Sequence, residues 1–203
     1  MTPPMVIPVT AVVPMIPVRA NTMYPRALSS IDKQIWAPQA IEVEMDVDHT
    51  GAAATRNRVL ERVKTPWVAF LDDDDEWLPG HLRTLWDAAQ DHPEADVIYT
   101  GCEVVDPDGR WLPHEEHLPE WGNFGEPFDA ELLRERSYLP VTSLVRTSLA
   151  QRAQFGPPPG SIYDDWGFYL RLLDLGAQFL HVPVRTWIWY HHGANTSGQG
   201  DRW

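Results

Sequence analysis

The chain has 203 residues, and its 29 acidic residues against 16 lysines and arginines give a formal net charge of −13. This acidic balance argues against a nucleic-acid-binding protein, whose binding surface would be basic. Hydrophobic residues make up 43% of the chain and charged residues 22%, which is typical of a globular domain and excludes a disordered chain.

The cysteine content and the apolar segments indicate where such a protein would be found. A single cysteine, Cys102, excludes an intrachain disulfide framework and a cysteine-ligated zinc site, and it favours a reducing, cytoplasmic compartment. The most apolar stretch, residues 5–18, contains three prolines and is shorter than the roughly 20 residues needed to cross a bilayer. The sequence therefore predicts no membrane span.

Strand patterns and helix patterns alternate along the chain. Strands are predicted at 9–13, 41–46, 67–71, 95–105, 141–145 and 178–190, and helices at 24–34, 52–63, 79–91, 129–136 and 164–175. This alternation in the first half predicts an α/β fold with a mostly parallel central sheet flanked by helices, whose ligands lie outside the carboxyl ends of the strands. No repeat or long linker divides the chain, so residues 1–203 are interpreted as a single domain.

The predicted strand at 67–71 runs directly into four aspartates, Asp72–Asp75. Four carboxylates at the exit of a buried strand repel one another, so they require a compensating cation or access to water. Mg²⁺ or Mn²⁺ would meet this requirement, because hard cations take oxygen ligands. A solvated turn that caps the next helix is the alternative. An EF-hand does not fit, because Trp77 and Arg83 occupy the positions of its glycine and its bidentate glutamate.

Two other polar clusters have ordinary interpretations when each is taken alone. Asp164 and Asp165 open the predicted helix at 164–175, where aspartate is a common cap. His114 and His117 are three residues apart, whereas the HExxH zinc motif separates its histidines by four, and the flanking prolines prevent a long helix. We interpret this second cluster as a solvated loop.

Four motifs follow one another in a specific order. They are GAAATRN at 51–57, WVAFLDDDDEWLPGHL at 67–82, YDDWGFYLRL at 163–172 and YHHGANTS at 190–197. Together they resemble the family 2 glycosyltransferases of the GT-A fold, and the resemblance covers residues 9–197. It implies one GT-A-like, Rossmann-related domain. Residues 1–105 would be its half for binding nucleotide-sugar and metal, and residues 106–203 its half for binding the acceptor and carrying the catalytic base.

The resemblance also implies roles for individual residues. The implied metal ligands are Asp74, Asp72 and His192, and the implied cofactor is Mn²⁺ or Mg²⁺ bridging carboxylates and diphosphate. The implied nucleotide-sugar-binding residues are Pro14, Arg19, Asp46, Arg56, Asp73 and Asp75. Asp165 is the implied base for the acceptor hydroxyl, with Asp164 orienting it or binding the acceptor. Asp48 competes with Asp46 for its role, and His191 is a weaker, pH-dependent candidate for a phosphate contact.

These features predict a metal-dependent enzyme that transfers a sugar from a nucleotide-diphosphate donor to a hydroxyl acceptor with inversion, although fold alone does not set the stereochemistry. The acceptor cleft is predicted to involve Trp111, Trp121, Phe124, Phe128 and the loop 156–161. One alternative is a non-catalytic domain of the same fold that binds nucleotide-sugar or carbohydrate. The other is a metal-dependent nucleotidyltransferase or hydrolase that uses the acidic run alone.

Overall fold

A computed structural model describes residues 4–106, 108–112 and 125–191. The strands are β1 Met5–Met15, β2 Trp36–Met45, β3 Trp67–Phe70, β4 Glu76–Trp77, β5 Val97–Val105, β6 Trp111–Leu112, β7 Ser143–Arg146 and β8 Phe179–Tyr190. The helices are α1 Tyr24–Asp32, α2 Ala52–Leu60, α3 His81–Asp91, α4 Ala130–Glu135, α5 Thr147–Ala153 and α6 Asp164–Asp174, with a short 3₁₀ turn at Pro17–Arg19.

The described strands form one sheet in the order β2-β1-β3-β7-β5-β8-β4, with β6 added to β5. Strand β1 pairs in parallel with β2 and β3, and β5 pairs in parallel with β8. The pairs β3–β7, β5–β7, β4–β8 and β5–β6 are antiparallel. The α/β fold is confirmed, and the sheet is mixed: the longest pairings, β1–β2 and β5–β8, are parallel, and the antiparallel pairings are short.

The mixture follows from the connections between strands. Parallel neighbours need a long crossover, which α1 provides between β1 and β2. A short turn after β5, in which Gly109 donates its N–H to the Asp106 carbonyl, instead returns the chain as the antiparallel strand β6. The alternating pattern of the first half of the sequence does not extend to the second half.

Hydrophobic residues pack on both faces of the sheet. Alternate residues of β3 point to opposite sides, so Trp67 and Ala69 join a core with α1 and α3, while Val68 and Phe70 join a core with α2, α4, α5 and α6. All four residues of β3 are buried, as the continuous apolar run predicts. Burial on both faces fixes the point at which β3 ends and the acidic run begins.

Strand β2 forms one edge of the sheet, and among the described strands it pairs with β1 alone. Within the residues that the structure describes, none of the helices has the length and apolar character needed to cross a membrane.

Candidate functional site

The acidic run Asp72–Asp75 lies between β3 and β4, and it bonds to backbone at the ends of β1 and β8. Asp72, Asp74 and Asp75 each offer one carboxylate oxygen, and these oxygens all lie within 4.8 Å of one another. Asp73 instead accepts the backbone N–H of Ile16 at 2.9 Å. The four consecutive aspartates therefore divide into a cluster of three and one residue that fastens the run to the end of β1.

Most of this run is removed from water. Asp73 and Asp75 are each 3% exposed and Asp74 is 6% exposed. Burial raises the pKa of Asp75 well above its usual range, and the neighbouring Asp74 and Asp72 carboxylates raise it further. Burial likewise raises the pKa of Asp72, against the opposing effect of Arg56. The run is thus not the solvated turn considered as the alternative, because its charges face one another inside the protein.

Three arginines from the first 60 residues bring positive charge to the run. Arg19 Nη1 lies 2.7 Å from Asp73 Oδ1 and 2.8 Å from Asp74 Oδ2. Arg26, on α1, donates to the backbone carbonyl of Asp74 at 2.5 Å. Arg56, on α2, forms an ion pair with Asp72. These contacts hold the run in place, but they leave more carboxylates than arginines around it.

The cluster of three carboxylates fits a hard divalent cation. It offers only oxygen donors, it carries several negative charges in a buried setting, and its oxygens are close enough to share one ion. Of the predicted ligands, Asp72 and Asp74 belong to the cluster, together with Asp75, which was expected to contact the donor. The third predicted ligand, His192, lies outside the described residues.

The second acidic pair stands at the N-terminus of α6, on the other side of Arg56. Arg56 Nη1 donates to Asp164 Oδ2 at 3.1 Å, and Nη2 forms an ion pair with Asp72. The guanidinium therefore links the two acidic groups. Asp164 Oδ1 accepts the N–H of Asp165 at 2.9 Å, and Asp165 Oδ1 accepts the N–H of Trp166 at 2.8 Å. Each side chain therefore accepts the N–H of the next residue, whereas a cap accepts an N–H two or three residues on, so neither aspartate caps α6. Both aspartates lie close enough to Asp72 to interact with its charge.

Asp165 has an unusual proton affinity. Burial raises its pKa to about 7, the neighbouring Asp164 carboxylate raises it as well, and Arg56 opposes both effects. Among the described residues no hydrogen bond is made to Oδ2 of Asp165. A half-buried carboxylate that titrates near neutral pH and keeps one oxygen available has the properties of a general base.

Asp46 is placed differently from the other predicted site residues. It is 1% exposed, and its carboxylate accepts the N–H of Thr50, the hydroxyl of Thr50 and the N–H of Gly51, each at 2.8 Å. Burial acts to raise its pKa, but the bonds from Thr50 and Gly51 outweigh burial and the pKa is lowered. Asp46 thus orders the loop that leads into α2, while its competitor Asp48 is exposed.

Two residues that sequence reasoning missed hold the end of β8 against the run. The backbone N–H of Tyr190 donates to Asp75 Oδ1 at 3.1 Å, and its hydroxyl donates to Glu76 at 2.9 Å. The Arg26 guanidinium carbon lies 3.4 Å from the centroid of the Tyr190 ring. Tyr190 is the first residue of the motif at 190–197 and could have been singled out, whereas no sequence pattern marks Arg26.

The remaining predicted residues are scattered around these groups. Pro14 is buried in β1 opposite Glu44 of β2, and the ring of His191 stacks on Trp189 with centroids 5.1 Å apart. Trp111 is 55% exposed, whereas Phe128 stacks on Phe179 at 4.3 Å, which is a packing role. The predicted positions Trp121, Phe124, His114 and His117 lie outside the described residues.

Comparison with known proteins bears on the family and the fold. Residues 30–153 match the family described as Glycosyl transferase family 2. The N-acetylglucosaminyl-diphospho-decaprenol L-rhamnosyltransferase of Mycobacterium tuberculosis is 30% identical over 154 residues, which are 66% of this chain and 49% of that protein. The chain spans less than half of the length of the curated relatives it matches.

Solved structures show the same fold at low identity. The structure of S. aureus TarS 1–349 in complex with UDP-GlcNAc matches with a TM-score of 0.64 and 16% identity, over 92% of this chain and 61% of that one. Mannosyltransferase PcManGT from Pyrobaculum calidifontis, in complex with GDP-Man and Mn²⁺, matches with a TM-score of 0.61 and 13% identity, over 94% and 58%. Since the family match spans more than half of the sequence, the resemblance is confirmed, and this chain belongs to glycosyl transferase family 2.

Proposed function

We propose that this chain transfers a sugar from a nucleotide-diphosphate donor to a hydroxyl acceptor, with a divalent cation and with inversion at the anomeric carbon. The observation that carries the proposal is the single guanidinium of Arg56 between the buried cluster of Asp72, Asp74 and Asp75 and the acidic pair on α6. This arrangement sets a candidate cation site beside a candidate base, and the metal-dependent inverting transfer proposed here uses both.

Asp72, Asp74 and Asp75 are proposed to hold Mn²⁺ or Mg²⁺, with His192 as a further ligand. The bound cation would neutralise the diphosphate and stabilise it as a leaving group. A strongly anionic donor has to bind to a chain whose net charge is −13, so a local source of positive charge is needed. The Mn²⁺ in the PcManGT complex supports this choice of cation.

The donor is proposed to bind at the carboxyl ends of β1, β2 and β3, within residues 1–105. Pro14 and Arg19 flank the end of β1 beside Asp73, and Asp46 follows the end of β2. Arg56 is proposed to link the two acidic groups, because its Nη atoms bond to Asp72 and Asp164. It also stays a proposed nucleotide contact, because its Nε has no hydrogen-bond partner among the described residues. The UDP-GlcNAc and GDP-Man complexes of the structural relatives support a nucleotide-sugar as the ligand class.

Residues 106–203 are proposed to bind the acceptor and supply the base. Asp165 would take the proton of the acceptor hydroxyl while the acceptor oxygen bonds to the anomeric carbon and the bond from that carbon to the diphosphate breaks. Asp164, held by Arg56, would orient Asp165 or bind the acceptor. The exposed Trp111 and the loop 156–161 are candidate walls of the acceptor cleft.

A cytoplasmic location is proposed because the lone cysteine is unpaired and buried.

Donor binding should depend on a metal ion. We expect UDP or GDP, and the corresponding nucleotide-sugars, to bind in the presence of Mn²⁺ and to lose binding when EDTA removes the metal. Isothermal titration calorimetry of UDP, GDP and their common sugars, with Mn²⁺ and then with EDTA, measures this directly. Absence of binding to every nucleotide with metal present would contradict a UDP- or GDP-sugar donor.

Release of a nucleoside diphosphate during turnover distinguishes sugar transfer from nucleotidyl transfer, which releases pyrophosphate.

The rate should rise with pH around neutrality. Only the deprotonated form of Asp165 accepts a proton, and its pKa is about 7, so kcat should increase from pH 6 to pH 8 and level off above that range. Initial rates at saturating donor, measured across this range with stability checked at each pH, test the expectation. A rate that is flat between pH 6 and pH 8 would contradict a base with this pKa.

A further inference from the structure

Asn57 follows Arg56 on α2, and its side chain contacts the segment between α5 and α6. Asn57 Oδ1 accepts the backbone N–H of Phe155 at 2.7 Å, and Nδ2 donates to the backbone carbonyl of Phe155 at 3.0 Å. The two residues are 98 positions apart in sequence. A side-chain amide that satisfies both the N–H and the C=O of one residue holds that residue in a fixed position and orientation.

The segment around Phe155 is in turn fastened to α6. Arg171, on α6, donates to the carbonyls of Ala153 at 2.7 Å, Gln154 at 2.7 Å and Gly156 at 2.8 Å. The N–H of Gly156 donates to the Asp164 carbonyl at 3.3 Å. The segment is therefore bonded both to the first residue of α6 and to its second half.

Packing leaves no room for the segment to slide along α6. A Cβ atom placed on Gly167 would lie 2.0 Å from the carbonyl oxygen of Gly156, so the backbone of the segment rests directly on the helix. Phe155 is buried, its ring stacks on Phe168 of α6 at 4.0 Å, and Arg56 lies 5.1 Å above the same ring. The segment and α6 behave as one body, which Asn57 attaches to α2.

We propose that Asn57 is a positioning residue: by fastening Phe155 it keeps the first turn of α6, with Asp164 and Asp165, at the correct distance from Arg56 and the acidic run. This inference rests on the proposed function, because it assigns Asn57 a part in placing the proposed base. The ion pair between Arg56 and Asp164 joins residues 108 positions apart in sequence. It therefore depends on the position of the first turn of α6 relative to α2. A shift of about 1 Å in a reacting group lowers a rate on the order of 10²-fold.

Gln151 provides a matched control. Its Nε2 donates to the carbonyls of Leu60 at 2.8 Å and Val63 at 3.3 Å, so it also links a half-buried amide to backbone between α5 and the end of α2. This link involves neither the Phe155 segment nor the first turn of α6. A general loss of stability should therefore be similar for Asn57→Ala and Gln151→Ala, and only the first should disturb the acidic pair.

The test compares these two variants with wild type by thermal unfolding and by hydrogen exchange at residues 165–168. It also compares kcat and KM for the nucleotide-sugar that binds in calorimetry, measured in Mn²⁺ as release of the nucleoside diphosphate. Loss of two hydrogen bonds should speed exchange at 165–168 about tenfold in Asn57→Ala and leave it unchanged in Gln151→Ala. Asn57→Ala should also lower kcat about 10²-fold with donor KM within about threefold of wild type. Asn57→Ser keeps a polar group at this position and adds no charge, so it should show the same pattern at smaller amplitude, and it replaces Asn57→Ala if that variant does not fold.

Two results would overturn the inference. Equal exchange at 165–168 in the two alanine variants would mean that Asn57 does not hold α6, whatever the activity of the protein. Equal kcat in the two variants would mean that the attachment does not serve the reaction. A wild-type protein that binds none of the nucleotides in Mn²⁺ would contradict the proposed function, and the exchange comparison would still decide whether Asn57 positions α6.

Discussion

The variant Asp165→Asn is expected to bind the donor as wild type does and to lose sugar transfer. An asparagine keeps the size of the side chain and its bond to the N–H of Trp166, but it cannot take a proton from the acceptor hydroxyl. Removal of a general base lowers kcat by about 10² to 10⁴-fold. The measurements are kcat with saturating donor and the donor Kd from calorimetry in Mn²⁺.

The other end of the same helix offers the control for this variant. Asp174 is the last residue of α6 and is exposed, so Asp174→Asn should leave both transfer and donor binding unchanged. Wild-type transfer by Asp165→Asn would exclude Asp165 as the base. Parallel loss of donor binding and transfer would assign the residue to the donor site instead.

Substitution of Asp74 by alanine is expected to abolish metal-dependent donor binding. Asp74 contributes a carboxylate oxygen to the cluster of three and is almost fully buried, so water cannot replace it without rearrangement of the run. With this carboxylate gone, the heat of nucleotide binding in Mn²⁺ should fall to the level that wild type shows in EDTA. Calorimetry with and without metal gives this comparison directly.

Stability has to be followed in the same variant. The Asp74 carboxylate raises the pKa of Asp75, which means that the two groups repel each other in the folded protein, and its removal relieves that repulsion. The variant also removes one of the two carboxylates that bind Arg19. A thermal unfolding scan shows whether the variant is folded, and the exposed Asp91→Ala serves as the control. Metal-dependent binding by a folded Asp74→Ala would exclude Asp74 from the cation site.

Local sequence patterns correctly predicted several elements of the fold. The run WVAFL is apolar throughout and forms the fully buried strand β3, and the aspartates that follow it stand at the exit of that strand. The helix pattern after Gly51 and the acidic start at Asp164 likewise correspond to α2 and α6. Strong periodicity or an abrupt change of polarity marks each of these positions.

Other elements carry no such signal. Strands β4 and β6 have two residues each, which is too short to show an alternating pattern, and they exist because β8 and β5 offer them partners. Helix α5 follows β7 without a glycine or proline to mark the boundary, so the segment was not predicted as helix. The antiparallel placement of β7 between β3 and β5 is decided by tertiary pairing.

For the candidate site, the sequence indicated which residues belong to it but not which residues contact one another. The motifs indicated that Arg56, Asp72 and Asp164 belong to one site, but they did not show that the arginine would bind both acids, because that depends on contacts between distant segments. The hydrogen bonds from Thr50 and Gly51 to the Asp46 carboxylate join residues close in sequence. An aspartate shortly before a threonine and a helix is a pattern from which these bonds could have been predicted.

The open edge of β2 carries a consequence for solubility. Unpaired edge strands can pair with other chains, and charged side chains and prolines protect them. Pro38, within β2, has no backbone N–H to offer to another chain. Glu44 of β2 pairs with Arg58 of α2 at 3.1 Å, and Glu42 pairs at 3.1 Å with Arg62, which follows α2. The charged residues of this edge strand therefore also attach α2 and the residues after it to the sheet. Loss of these pairs would therefore loosen α2 and promote aggregation together.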